Sequence, residues 1–168
     1  MAPYVFLLIW RREYGLVLLL FVLAGITDGL DGLLARRFKA GSRVGAYLDP
    51  IADKVLLSGA FLTLALDGAI DTWVAVLVLG RDVVILLFAV AVMMARGRRS
   101  FPPSIWGKAS TAAQIAFVVA VVGHLSGLTG AGLTGAVVVT VLKWMTVGLT
   151  VASAIAYAGK APGLLKGD

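Results

Sequence analysis

Five apolar stretches, each about as long as a helix that crosses a bilayer, make up most of the chain and leave little from which a water-soluble domain could be built. About 20 apolar residues span the hydrocarbon core, and segments at about 14–37, 46–66, 72–96, 105–126 and 135–158 reach that length. The uncharged stretch from Ala109 to Leu142 is too long for one crossing, and its Gly-rich centre from Gly123 onward reads as a turn that divides it in two. Residues 2–10 are apolar but too short to cross alone, and are expected to be the end of a first helix that is incomplete in this sequence. The fold class expected is therefore all-α, a polytopic transmembrane helix bundle with about five full helices and a truncated N-terminal one. A mean hydropathy of +0.98 over 168 residues lies far outside the range of soluble domains of this size. No linker or repeat divides the chain, so one membrane domain over residues 1–168 is expected.

The charges are arranged by loop. Lys and Arg exceed Asp and Glu by 15 to 9, a net charge of +6. In a soluble protein that excess would suggest nucleic acid, but here the basic residues fall in short connections, where they set topology and meet lipid phosphates. No nucleic-acid partner is expected. One set of connections holds Arg36, Arg37, Lys39 and Arg43, then Arg96, Arg98, Arg99 and Lys108, then Lys160 and Lys166. The other holds Arg11, Arg12 and Glu13, then Asp67 and Asp71. The positive-inside rule puts the first set in the cytoplasm and the chain in the inner or plasma membrane. Trp10, Trp73 and Trp106 fall near the predicted interfaces, and His124 near the Gly-rich turn reads as an interfacial polar residue.

Against this apolar background stands Asp28-x-x-Asp31-Gly32-x-x-Ala35-Arg36-x8-Gly45-x3-Asp49-x3-Asp53. Carboxylates in or near hydrocarbon are costly and call for a counter-charge. Asp28 and Asp31 are three residues apart and Asp49 and Asp53 four, so each pair shares a face of its own helix. At ~1.5 Å per residue, Asp28 lies about 12 Å inward from Arg36 and Asp53 about 12 Å from Gly45, which puts the pairs at similar depth. Oxygen ligands favour hard cations such as Mg²⁺, with Mn²⁺ also suitable; the absence of cysteine and the single, distant histidine argue against zinc. Two such ions about 4 Å apart would clamp a pyrophosphate and suit phosphoryl transfer. Gly32 and Ala35 leave room on the acidic face for a nucleotide, and Gly45 permits close backbone approach. The blander reading has the aspartates in salt bridges with Lys54, Arg36 or Arg81; the spacing of the whole pattern disfavours it.

These eight landmarks resemble the signature of the CDP-alcohol phosphatidyltransferases, integral-membrane enzymes that build phospholipid head groups. The resemblance implies that Asp28, Asp31 and Asp49 are ligands of two metal ions. It implies that Asp53 lies beside them as the base that activates the acceptor hydroxyl, with a role as fourth ligand left open. It further implies that Gly32, Ala35, Arg36 and Gly45 contact the CDP moiety of CDP-diacylglycerol, that an alcohol attacks the lipid-side phosphorus with release of CMP, and that the protein is a homodimer.

Gly80-Arg81-Asp82 and the run Phe101-Pro-Pro-Ser-Ile-Trp-Gly107-Lys108-x-x-Thr111-x-x-Gln114 resemble the branch of that family that holds phosphatidylglycerophosphate synthases and CDP-dependent cardiolipin synthases. Glycerol 3-phosphate is accordingly the first acceptor expected and phosphatidylglycerol the second. Lys108, Thr111 and Gln114 recur every three residues and would form a polar stripe beside the acceptor. Acceptor-binding candidates are Lys108, Arg81, Arg43 and Thr111; for Arg81, a helix-locking pair with Asp82 is the competing role. Lys143 is expected at a depth comparable to Arg81. A small cation transporter is the rival from another class, although no inverted repeat is visible.

Overall fold

The computed structural model describes the backbone at residues 2–38, 45–96, 105–128 and 133–166, and side chains at 4–27, 54–87, 105–128 and 133–159. Six helices follow one another: α1 (Ala2–Trp10), α2 (Tyr14–Phe38), α3 (Gly45–Leu66), α4 (Thr72–Arg96), α5 (Ile105–Leu125) and α6 (Leu133–Lys166). The described residues contain no strand. Helix starts and stops fall within two residues of expectation except at the end of α6, which runs to Lys166 rather than about 158. Hydropathy marks where a segment ceases to be apolar, and an α-helix can continue past that point.

Two helices, α3 and α1, stop in the same way. At the end of α3, Ala69 N–H donates to Leu64 O (2.8 Å) and Gly68 N–H to Ala65 O (3.2 Å), with Gly68 at φ 75°. This is a Schellman turn, in which one left-handed residue lets the chain satisfy the last carbonyls and reverse. α1 ends likewise, Glu13 N–H donating to Leu8 O and Arg12 N–H to Ile9 O. There the left-handed position is Arg12, at φ 58°, a conformation unfavourable for a side-chain-bearing residue. Its guanidinium reaches Asp67 (3.3 Å), which also accepts a hydrogen bond from the Tyr14 hydroxyl. In the Gly-rich turn after α5, Gly127 takes φ 78°. The Arg12–Asp67 contact shows that the connections 11–13 and 67–71 share one end of the bundle, as the charge pattern required.

The apolar core sits towards that end. Val5, Leu8 and Ile9 of α1 meet Val17 of α2, Ala60, Phe61 and Leu64 of α3, Val74 and Val78 of α4, and Phe117, Val118 and Val122 of α5. The rings of Phe61 and Phe117 lie 6.0 Å apart. α1 approaches α3 at Gly59, where a Cβ would fall inside the Phe6 ring. Gly59→Leu is therefore expected to force Phe6 out and cost about 1–3 kcal/mol, the usual range for overpacking. A lowered thermal midpoint that Phe6→Ala in the same chain partly restores would show it.

Outside the core, large apolar side chains face outward, among them Val83, Val84, Leu86 and Leu87 of α4 and Leu133, Val137 and Ile155 of α6. Among the described residues two helical stretches, Ile105–Leu125 and Leu133–Gly159, are long and apolar enough to cross a membrane. An outward apolar surface on such helices is the pattern of a membrane protein.

Candidate functional site

The aspartate pattern falls on the turns where α2 approaches its end and α3 begins. Asp28, Asp31, Gly32, Ala35 and Arg36 belong to α2, and Gly45, Asp49 and Asp53 to α3; the side chains at these positions lie outside the described residues. Arg43 lies outside them altogether. Because α2 leaves and α3 enters across residues 39–44, the two acidic segments lie on consecutive helices joined at the same end. That end is opposite the Schellman turns of α1 and α3.

A pocket of about 190 Å³ adjoins both segments. Its walls include Phe21, Ala24 and Gly25 of α2, Lys54, Leu56 and Leu57 of α3, Asp82 of α4, and Thr111, Gln114 and Ile115 of α5. Gly25 stands one helical turn before Asp28, and Lys54 directly follows Asp53. The pocket thus reaches both helices at the level of the pattern, and its polar lining comes from Lys54, Asp82, Thr111 and Gln114.

One carboxylate organises that lining. Asp82 Oδ1 accepts a hydrogen bond from Arg81 Nη1 at 2.6 Å and forms an ion pair with Lys54 Nζ at 3.3 Å. The Arg81 side chain is 7% exposed, and its other terminal nitrogen donates to the Ser153 hydroxyl on α6. Gly107 of α5 closes over this group: a Cβ there would lie 3.4 Å from Arg81 Nη2 and 3.4 Å from the Tyr157 hydroxyl. The Gly80-Arg81-Asp82 segment and the Gly107 run, distant in sequence, thus meet in space. Arg81 carries the helix-locking pair that was the competing reading of it. Lys54 and Arg81, proposed as bland partners for the pattern's aspartates, both bond Asp82.

A seam of buried polar groups continues from there between α5 and α6. Gln114 Nε2 donates to Ser110 Oγ (3.3 Å), Ser110 and Thr150 hydroxyls lie 3.3 Å apart, and Thr146 donates to Ala113 O (3.1 Å). All four side chains are buried. Hydrogen bonds between helices in a membrane average about 0.6 kcal/mol and reach about 1.7, so the seam fixes helix register more than it adds stability.

The remaining acceptor candidates separate. Thr111 lines the pocket, its hydroxyl donating to Gly107 O at 3.1 Å. Lys108 is exposed one turn earlier on α5 and is not among the described lining residues. Lys143 is not at the depth of Arg81: it bonds Asp71 (3.0 Å) at the opposite end, where Trp144 packs on Trp73. Counting residues from each helix start failed there because α6 begins beyond the start of α4: Lys143, ten residues into α6, reaches only Asp71 just before α4. Ser153, Thr150 and Thr146 went unnoticed in the sequence although their spacing of four and three residues puts them on one face of α6. His124 is half-buried at the end of α5, far from the pocket.

Helices long and apolar enough for a membrane, with an acidic sequence pattern on two consecutive helices and a polar-lined pocket between four, are those of an all-helical membrane protein. The chain belongs to the CDP-alcohol phosphatidyltransferase family, whose model matches residues 1–155. Similar proteins include a probable phosphatidylglycerophosphate synthase of Mycobacterium tuberculosis, 41% identical over 88 residues, which are 52% of this chain and 40% of the relative. A CDP-diacylglycerol–glycerol-3-phosphate 3-phosphatidyltransferase of Sodalis glossinidius is 37% identical over 132 residues, 75% of this chain and 71% of the relative. A probable CMP-forming cardiolipin synthase of Drosophila melanogaster is 37% identical over 87 residues, 51% of this chain and 27% of the relative. The chain thus spans less than half the length of the Mycobacterium and Drosophila relatives.

Proposed function

We propose that this chain transfers a phosphatidyl group from CDP-diacylglycerol to glycerol 3-phosphate and releases CMP. The observation that carries the reading is the complete eight-landmark pattern on α2 and α3, consecutive helices that share a polar-lined pocket. The relatives' names for glycerol 3-phosphate transferases support the acceptor. The five-crossing arrangement, with the pattern towards the cytoplasm and a homodimer as the working unit, belongs to the same reading. The orientation is supported by the basic residues in the connections at the pattern's end.

In this reading Asp28, Asp31 and Asp49 hold two Mg²⁺ ions with Asp53 beside them, and the donor set, carboxylate oxygens alone, fits a hard divalent cation. Such ions, when bound, neutralise charge on the pyrophosphate and on the departing CMP. Gly32, Ala35, Arg36 and Gly45 receive the CDP moiety. The acceptor hydroxyl oxygen forms its bond to the lipid-side phosphorus as the bond from that phosphorus to the CMP oxygen breaks, and the hydroxyl proton passes to Asp53. Thr111 and Gln114 offer hydrogen bonds to a polyol in the pocket. Lys108 and Arg43 are the cations proposed for an acceptor phosphate, and Arg81 supports the wall behind Asp82.

A second reading, phosphatidylglycerol as acceptor and cardiolipin as product, is favoured by the similarity to the cardiolipin synthase. Incubation of the purified chain with CDP-diacylglycerol, Mg²⁺ and each acceptor in turn separates the two. Phosphatidylglycerophosphate formed from glycerol 3-phosphate is the expected product. Cardiolipin formed only from phosphatidylglycerol would replace the first reading with the second.

A further inference from the structure

Lys54 is the first residue after the acidic pattern, and its ion pair is the described side-chain contact nearest to that pattern on α3. An α-helix turns as a rigid body, so holding Lys54 in azimuth also holds Asp53, one residue and ~1.5 Å before it, and Asp49 a turn earlier. The far half of α3 is already fixed by the Phe6–Gly59 approach and the Phe61–Phe117 contact. The half that carries the aspartates is tied to its neighbours by a chain of charged contacts: Lys54 on α3 to Asp82 on α4, Asp82 to Arg81, and Arg81 to Ser153 on α6. Gly107 of α5 packs on the same guanidinium. α3 thus meets α4 at the Asp82 carboxylate, which is 16% exposed, and α5 and α6 join them through the Arg81 guanidinium.

Asp82 also holds the Lys54 ammonium against α4, so the lysine that follows Asp53 in the sequence is paired across to a neighbouring helix.

We infer that Lys54 and Asp82 are positioning residues for the acidic site, an interhelical clamp that sets the α3 aspartates for divalent cations. The inference rests on the reading that those aspartates hold Mg²⁺. The test uses the full chain in lipid nanodiscs and Mg²⁺ alone as the probe, with thermal unfolding followed by tryptophan fluorescence. A cation that binds the folded state raises the midpoint by an amount that grows as RT ln(1 + c/Kd), where c is the free Mg²⁺ concentration, so a weaker site needs proportionally more cation for the same rise. Lys54→Gln is expected to need about tenfold more Mg²⁺ for the same rise, the lower end of the range for residues that orient metal ligands. Asp82→Asn is expected to show a similar shift, and the double variant no more than the larger of the two, because both remove one interaction. Lys54→Arg keeps a cation within reach of Asp82 and should respond as wild type does.

CMP release read in parallel is expected to fall in kcat with the KM for CDP-diacylglycerol unchanged. The Lys54 side chain is 56% exposed, so its glutamine variant tests the clamp even if Asp82→Asn does not fold. An unchanged Mg²⁺ response in Lys54→Gln, or a raised KM with that response intact, overturns the clamp; the latter would make Lys54 a substrate ligand. No Mg²⁺ response and no CMP release from the unaltered chain would overturn the functional reading and the clamp together. A response shared by wild type and both variants would overturn the clamp alone.

Discussion

Alanine at Asp49 is expected to lower CMP release by about 10²–10³-fold, the loss typical when one preorganised electrostatic partner of a developing charge is removed. Asp49 stands one helical turn before Asp53 on α3 and belongs to the all-oxygen set proposed to hold Mg²⁺. Its removal should also abolish the Mg²⁺-dependent rise in thermal midpoint. Asp53→Asn makes the informative comparison. A general base contributes about 10²–10⁴-fold, so loss of turnover with the Mg²⁺ response kept would identify Asp53 as the base. Loss of both would make it a ligand. Full activity in Asp49→Ala would remove the basis for the carboxylate mechanism.

Methionine at Arg81 is the substitution expected to cost the fold most. The guanidinium is buried and bonds Asp82 and Ser153 at once, joining α4 to α6. Removing one partner of a buried pair leaves the other charge uncompensated, at about 3–5 kcal/mol. Lys54 remains beside Asp82 at 3.3 Å and holds the loss towards the lower figure. Lysine at 81 should recover only part of the stability, because a single ammonium lacks the fork that reaches both acceptors. Denaturation of the chain in mixed micelles gives the comparison. Equal stability of Arg81→Met and wild type would show that the network contributes nothing to helix packing.

How far the sequence anticipates this structure depends on the kind of signal. Apolar runs and breaks located the helices because the length of hydrocarbon to be crossed and the need to satisfy every backbone group leave few alternatives. The Gly-rich break after Gly123 became the α5–α6 turn, with Gly127 in the left-handed region that favours glycine. The end of α6 was misplaced because Gly159 and Lys160 end the apolar run without ending the helix. Arg12, left-handed at the end of α1, carries no local signal, since an arginine predicts no turn; its conformation goes with a long-range contact to Asp67.

The candidate site was legible in its acidic part, where fixed spacings encode which residues share a helix face. The pocket was legible only in fragments. Thr111 and Gln114 stood out as a polar stripe, but their meeting with Asp82 and Lys54 depends on how four helices pack, which periodicity within one helix does not specify. Arg81 read equally well as a ligand or a lock until Ser153 was found opposite it. Ser153 itself is a small hydroxyl in an Ala-rich segment, distinguished only by lying in register with Thr146 and Thr150.

The central claim, a divalent-metal-dependent phosphatidyl transfer by this chain, is tested most directly by CMP release from CDP-diacylglycerol with the purified protein in lipid vesicles. Release that requires both glycerol 3-phosphate and Mg²⁺, and falls to background when the metal is chelated, is the result predicted. Release that persists undiminished in chelator, or cation flux across the vesicles with no CMP formed from any acceptor, would contradict it.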